Sequence, residues 1–531
     1  MALSHRVNVP KDNPVLEPEK IESLEQHVES AAYVAVGLTE EESEFLKNFS
    51  EERRKAVLRK VYFELRRDRQ IDWRLIPFLS VLYLLGYLDR ANIANAKIEG
   101  MLDDLGMDAV QYNIAVSTFF ITYIIFELPS NMVLAHFKRP SWYIGAITCS
   151  WGLVMTLTGL VHNFGGLVAA RVALGVAEAG FFPGAIFIIS QWYLPAETQF
   201  RVALFYTSSA LSGAFSGLLA FAIAKMDGLA GVAGWRWIFI IEGIASVIAG
   251  ILCFSFLLDS PVQSGRWLDA DEIRYLQLRQ TAQHGVTQAI REQEKQRKWN
   301  ILRSVICDWH LYPLIFIYWA NAAPNYGLKF SMPQLIKSMG YTSSAAQLLT
   351  IPPYTVGAIS ALVSGAYADK IKWRMPFVCG PLTVVVVAYS ILFTKANNLA
   401  DNIPLCYFAI CLACLGLYPI VPTANSWTIV NLAGPTKKAQ GAAYMIAIGN
   451  IGGVIGSYMY LDKESPKYPT GYGLSFGFAA LGIISALILE WGLWRTNKRR
   501  AKVSETEVRS RYNEGELALM GDRSPLFRYN L

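Results

Sequence analysis

Charge is scarce in this chain. Of its 531 residues, 17% are Asp, Glu, Lys or Arg, where soluble domains carry about 25%. Hydrophobic residues make up 53% and the mean hydropathy is +0.29, a balance that points to a membrane protein rather than a soluble one. Cysteine is also sparse. Six of the seven cysteines (Cys149, Cys253, Cys379, Cys406, Cys411 and Cys414) fall in apolar runs, and Cys307 sits in a basic central stretch, which excludes a disulfide framework. Cys411-Leu-Ala-Cys414 has the spacing of a redox or metal motif. It lies in YFAICLACLGLYP with no histidine cluster beside it, so packed or lipid-facing thiols are expected, with no metal and no cofactor. No nucleophile motif and no metal-ligand spacing accompanies the buried charges, so an enzyme is not expected. A cleavable leader is not expected either, because about seventy polar residues precede the first apolar run.

What the chain has instead is long apolar runs. A membrane-spanning helix needs about 20 mostly apolar residues. By that measure there are twelve spans, the first near 74–94, the sixth near 237–258, the seventh near 312–335 and the last near 472–494. The expected fold is an all-α membrane protein with twelve transmembrane helices in two six-helix halves. Its parts are a tail over 1–72, a bundle over 73–258, a central loop over 259–311, a second bundle over 312–495 and a tail over 496–531. The net charge of +6 is concentrated in the tails and the central loop, in ERRKAVLRK, ELRRDRQIDWR, REQEKQRKW and RTNKRRAK. Each run flanks a span. That pattern marks the cytosolic side and contact with anionic lipid, not a nucleic-acid surface. Both tails and the central loop are therefore expected in the cytosol.

Ionisable residues at membrane depth cost at least ~2.5–3.5 kcal/mol each, so those that persist carry information. Arg171 and Glu178, in RVALGVAEAGFFPG, are seven residues apart and project from one face of one helix. Asp89 and Arg90 lie in GYLDRANIANA of the first span, and Lys329 lies in NYGLKFSMPQ of the seventh. Helical rise puts Arg171, Asp89, Arg90 and Lys329 at similar depth, with Glu178 deeper. Arginine and lysine there suit an anionic group, and an acid beside them suits a proton. The alternative is that these groups form static pairs between helices, and that Lys329 snorkels to the interface. Glu127, Glu242, Asp369 and Arg374 lie near span ends or belts and read as gating or structural groups. Tyr326, Asn325 and Asn425 can hydrogen-bond a ligand or another helix. Small-residue pairs at Gly213/Gly217, Gly449/Gly453 and Gly452/Gly456 mark close helix crossings. Pro129, Pro183, Pro352, Pro353, Pro419 and Pro422 mark kinks or span ends.

Several motifs occur in a fixed order: YLDRANIANA, FELPSN, RVALGVAEAGFFPGAIFIISQWY, WRWIFIIEG, AQLLTIPPY and the terminal GDRSPLFRYNL. Together they resemble the fungal branch of the anion:cation symporter family of the major facilitator superfamily, which includes allantoate and nicotinate permeases. The resemblance covers nearly all of residues 60–531. It implies proton-coupled uptake of a small organic anion, such as nicotinate or another carboxylate, by a plasma-membrane carrier using alternating access, expected to be monomeric. By position it assigns substrate binding to Arg90 and Arg171 and proton coupling to Asp89 and Glu178. Lys329 and Tyr326 join the substrate set from their place in span seven. Two departures qualify the match. The loop after span two, LAHFKRPSW, lacks the acidic residue of the superfamily signature, and Lys329 adds a cation. Rival expectations are export of an acidic fungal metabolite by the same fold and a non-transporting nutrient receptor.

Overall fold

The computed structural model describes residues 40–50, 52–54, 56–57, 72–134, 136–137, 139–193, 195–263, 268–279, 298–371, 373–433, 435–512, 517 and 520–531. Most of the tail over 1–72, the basic runs at 58–71 and 280–297, and the Asp369 side chain lie outside the described residues. The described residues within 40–57 and 261–279 group as one compact unit and the other described residues as another. In the first, the Phe49 ring stacks on Tyr275 at 4.6 Å and Arg274 meets Glu41 at 3.3 Å.

The second unit contains twelve long helical segments among the described residues. They are α1 (Asp72–Ile98), α2 (Ala109–Leu134), α3 (Pro140–Thr158), α4 (Phe164–Glu178 and Phe181–Trp192), α5 (Pro195–Ala224) and α6 (Gly234–Phe256). After the central stretch come α7 (Leu311–Ser338), α8 (Ser343–Leu348 and Ile351–Ile371), α9 (Pro376–Lys395), α10 (Leu399–Leu417 and Ile420–Asn431), α11 (Pro435–Gly456) and α12 (Pro469–Arg500). Eight segments are long and apolar enough to cross a membrane. The other four, α1, α3, α7 and α11, have the length but are more polar. In α1 and α7 the dilution comes from Asp89, Arg90, Asn92 and Asn95, and from Asn321, Asn325 and Lys329.

Local sequence explains where helices start and break. Pro140 and Pro469 open α3 and α12, where a missing N–H costs nothing. Asn163 caps α4 by accepting from the Gly166 N–H at 2.8 Å. Three spans are interrupted, and in each the second piece begins at or near proline: Pro183 in α4, Pro352 and Pro353 in α8, Pro419 and Pro422 in α10. Pro129, by contrast, is carried inside α2. Large apolar side chains stay exposed on outward faces, such as Ile248 and Ile251 on α6 and Ile484, Ile488 and Trp491 on α12. Patches of that size are expected where lipid is the solvent.

Packing repeats between the halves. The main contacts of the first half pair α1 with α5 and α6, α3 with α4 and α6, and α2 with α4; the second half repeats each pair with six added to both numbers. Across the halves, α1 meets α7, α2 meets α11 and α5 meets α8. Glycines make helix crossings close both between the halves and within the second half. Gly213 and Gly217 of α5 face Tyr354 and Thr350 of α8, while Gly449 and Gly452 of α11 face Tyr318 and Ala322 of α7, with Gly453 against Phe120 of α2.

A set of polar contacts between halves gathers near the Ile98 end of α1, on the side of the bundle opposite its Asp72 end (the distal side). Lys97 Nζ donates to both Asp462 oxygens at 2.8 and 2.7 Å, and Lys337 Nζ donates to the Ile98 carbonyl at 2.9 Å. Gln347 donates to Glu99 at 3.0 Å, and the Ser117 and Tyr458 hydroxyls meet at 3.0 Å. Lys97 and Lys337 thus bind the halves together on that side.

Candidate functional site

Arg90 lies at the centre of the membrane-buried charges. Its Nε and one Nη both donate to Glu178 Oε1 at 2.7 Å. Both side chains are almost wholly buried. The guanidinium also lies against three rings, with 4.9 Å to the Tyr87 centroid, 5.1 Å to Phe119 and 4.7 Å to Tyr123. Such ring faces favour a cation. The contact reconciles the unequal depths expected for the two residues. Glu178 Oε1 sits level with Gly86, one turn before Arg90, and side chains on a helix lean toward its N-terminus, so Arg90 reaches back to it.

Arg171 and Glu178 are both buried, as one helix face requires, yet the Glu178 hydrogen bonds run to Arg90. Arg171 lies 5.8 Å from the Phe239 ring centroid of α6. Its Nε and one Nη have no hydrogen-bond partner among the described residues, and neither does Glu178 Oε2. Asp89 points away from Arg90, as adjacent helical positions must. Its Oδ2 accepts from Ser246 of α6 at 3.0 Å. One turn on, Asn92 donates to Glu242 Oε2 at 2.7 Å. Glu242, expected to be structural, therefore braces α1 to α6 beside Asp89. Glu127, on α2, is within electrostatic reach of Arg90. Arg374 is buried between α8 and α9, and its backbone N–H donates to the Leu531 carbonyl at 2.9 Å.

Lys329 brings the second half to the same place. It is 6% exposed, so it does not snorkel. Its Nζ donates to the Tyr87 carbonyl at 3.2 Å and lies 4.5 Å from the Tyr87 ring centroid. Tyr87 is thus flanked by Arg90 of its own half and Lys329 of the other. A cavity of about 30 Å³, space for one or two waters, is lined here by Tyr87, Ser209, Tyr318, Asn321, Asn325, Tyr326 and Lys329, with residues of α10. Tyr326 and Asn325 were legible as polar groups within a span; Asn425 is outside this lining. Tyr87, Phe119, Tyr123 and Asn321 escape sequence reasoning, because aromatic and amide side chains are ordinary in spans. The one hint is that Tyr87 precedes Arg90 by a single turn.

The Major Facilitator Superfamily profile matches residues 79–457. The chain belongs to that superfamily. It is 36% identical over 472 residues to "MFS-type transporter cnsO" of Penicillium expansum, covering 87% of this chain and 90% of the relative. It is 29% identical over 477 residues to "Major facilitator-type transporter hxnP" of Emericella nidulans, covering 87% and 92%. Among solved structures, an inward-facing, occupied bacterial homologue of the human lysosomal transporter Spinster matches with a TM-score of 0.60 at 15% identity, covering 78% of this chain and 95% of that one. The partially occluded, inward-open xylose transporter XylE of E. coli matches with a TM-score of 0.58 at 14% identity, covering 78% and 97%. At those identities the likeness shows the fold alone. The chain is accordingly a multi-pass membrane transporter of the superfamily, not an enzyme, and its cargo is a small molecule.

Proposed function

We propose that the protein is a proton-coupled uptake carrier for a small organic anion, a monocarboxylate of nicotinate-like size, in the plasma membrane with both termini in the cytosol. The observation that supports this most is the pair of cations, Arg90 and Lys329, brought by opposite halves to one tyrosine, with Glu178 the acid bonded between α1 and α4. Two cations and one acid leave a positive remainder that a carboxylate neutralises, and the surrounding rings suit a flat, apolar body. In this reading the substrate carboxylate takes the place of Glu178 on Arg90, with Lys329 and Tyr326 completing its seat. The released Glu178 carboxylate takes up the proton that travels with the substrate. Arg171 and Asp89 form the second charged group of the half and respond to that exchange through their electrostatic reach of Glu178. The bundles over 73–258 and 312–495 rock about this point, and the distal bonds part when the site opens outward.

The test is Glu178→Gln in cells given labelled carboxylates. Concentrative uptake is expected to vanish while exchange of internal for external substrate persists, because glutamine still fills the site but carries no proton. Loss of exchange together with uptake, at normal membrane level, contradicts the assignment. Outward flux driven by inward protons supports the export reading instead.

A further inference from the structure

The terminal motif GDRSPLFRYNL has no part in the site above, yet it is held in place residue by residue. Asp522, 2% exposed, accepts from Lys437 Nζ of α11 at 2.9 and 2.8 Å. Lys437 also donates to Asp308 at 2.6 Å, and Asp308 accepts from His310 Nδ1 at 2.5 Å just before α7. Although Asp308, His310 and Asp522 lie close enough together to hold a metal ion, the Lys437 ammonium already sits between the two carboxylates and bonds both.

Further along, two asparagines read the main chain. Asn497 of α12 donates to the Tyr529 carbonyl at 2.8 Å and accepts from the Tyr529 N–H at 2.9 Å. Asn431 of α10 does the same for Asn530, at 2.9 and 2.7 Å, and the Trp427 indole adds a third bond to the Asn530 carbonyl at 3.1 Å. Arg500 donates to the carbonyls of Phe527 and Asp522 at 2.9 and 2.8 Å and lies 4.8 Å from the Tyr529 ring centroid. That ring meets His310 edge-on at 5.0 Å. Gly521 enters the segment at φ +57°, a left-handed conformation open to glycine.

We infer that the terminus-side face of the second half is a peptide-binding site, occupied by residues 521–531, and that this segment is a strap tying α7, α10, α11 and α12 into one body. The chemistry is that of main-chain recognition. Each amide side chain satisfies both the N–H and the C=O of one residue, as a neighbouring β-strand does. Selectivity comes from an acid at 522 and an aromatic at 529. Among the described residues these contacts run to the second half, so the strap braces that half.

Hydrogen exchange on the full-length chain in detergent tests this. The Tyr529 and Asn530 amides are expected to be protected. Asn431→Ala with Asn497→Ala is expected to speed their exchange by roughly tenfold or more. Peptides covering the starts of α7 and α11 and the ends of α10 and α12 are expected to loosen in step, while α1–α6 stay unchanged. Asn530→Ala leaves every clamp bond in place and is expected to behave as wild type. Tryptic cleavage at Arg523 and Arg528 provides a second reading, slow in wild type and in Asn530→Ala and fast in the clamp variant. Unprotected Tyr529 and Asn530 amides in wild type overturn the site. Asn530→Ala as disruptive as the clamp variant overturns main-chain recognition. Loosening confined to 521–531 overturns the bracing role.

Discussion

A Cβ added at Gly86 would lie 3.0 Å from Glu178 Oε1, so this glycine sets how closely α4's acid approaches α1. Gly86→Val is expected to push Glu178 off Arg90. Parting a buried ion pair costs roughly 3–5 kcal/mol when one partner is left uncompensated. Lower thermal stability of the purified carrier, relieved by a saturating carboxylate substrate, is the expected signature. Stability equal to wild type would show that the glycine has no such role. Arg171 differs from Arg90 in having spare buried donors. Arg171→Lys keeps the charge and loses the planar fork. Measured by uptake kinetics, it is expected to slow turnover with little change in apparent affinity if Arg90 and Lys329 hold the anion. A large loss of affinity instead would place Arg171 in the binding seat. The charges themselves were legible because the cost of burying an ion attaches to single residues. Their partners were not. Spacing joins Arg171 and Glu178 on one face, but only the approach of α1 past Gly86 reveals that Arg90 takes the acid.

Helices and their breaks follow from short-range rules, which is why the spans, the prolines at Pro183, Pro352 and Pro419 and the glycine crossings all read directly from sequence. The strap does not, since its clamps are asparagines about 30 and 100 residues from the chain segment they hold. Its ionic end has a pH dependence. Burial pushes the Asp308 carboxyl up, but the bond from His310 and the Lys437 ammonium outweigh it and hold the group below the usual carboxylate range. A carboxyl whose folded pKa is depressed stabilises the fold above its unfolded pKa of about 3.9 and loses that contribution as pH falls through the folded value. Wild type is therefore expected to melt higher than Asp308→Asn throughout pH 5–7, by a margin that shrinks only below about pH 4. A margin already closing between pH 7 and pH 5 would contradict this assignment of charge.

At the scale of the molecule, the halves repeat one contact pattern and meet at distal polar bonds. Lys97 and Asp462 are the most direct of these. With exposed Cys307 replaced, Lys97→Cys paired with Asp462→Cys is expected to arrest transport on oxidation and to recover with reductant. Full activity of the oxidised, cross-linked protein would show that the halves need not part there. The layout of two halves was legible from the count and spacing of apolar runs. The closed distal side was not, because it depends on which loop lysines meet which carbonyls and acids.

The central claim, an anion carried inward with a proton, is tested most directly by uptake of labelled carboxylates at pH 5 and pH 7, with and without a protonophore. The account predicts concentrative uptake that is faster at pH 5 and collapses when the proton gradient is dissipated. Uptake indifferent to both would contradict it.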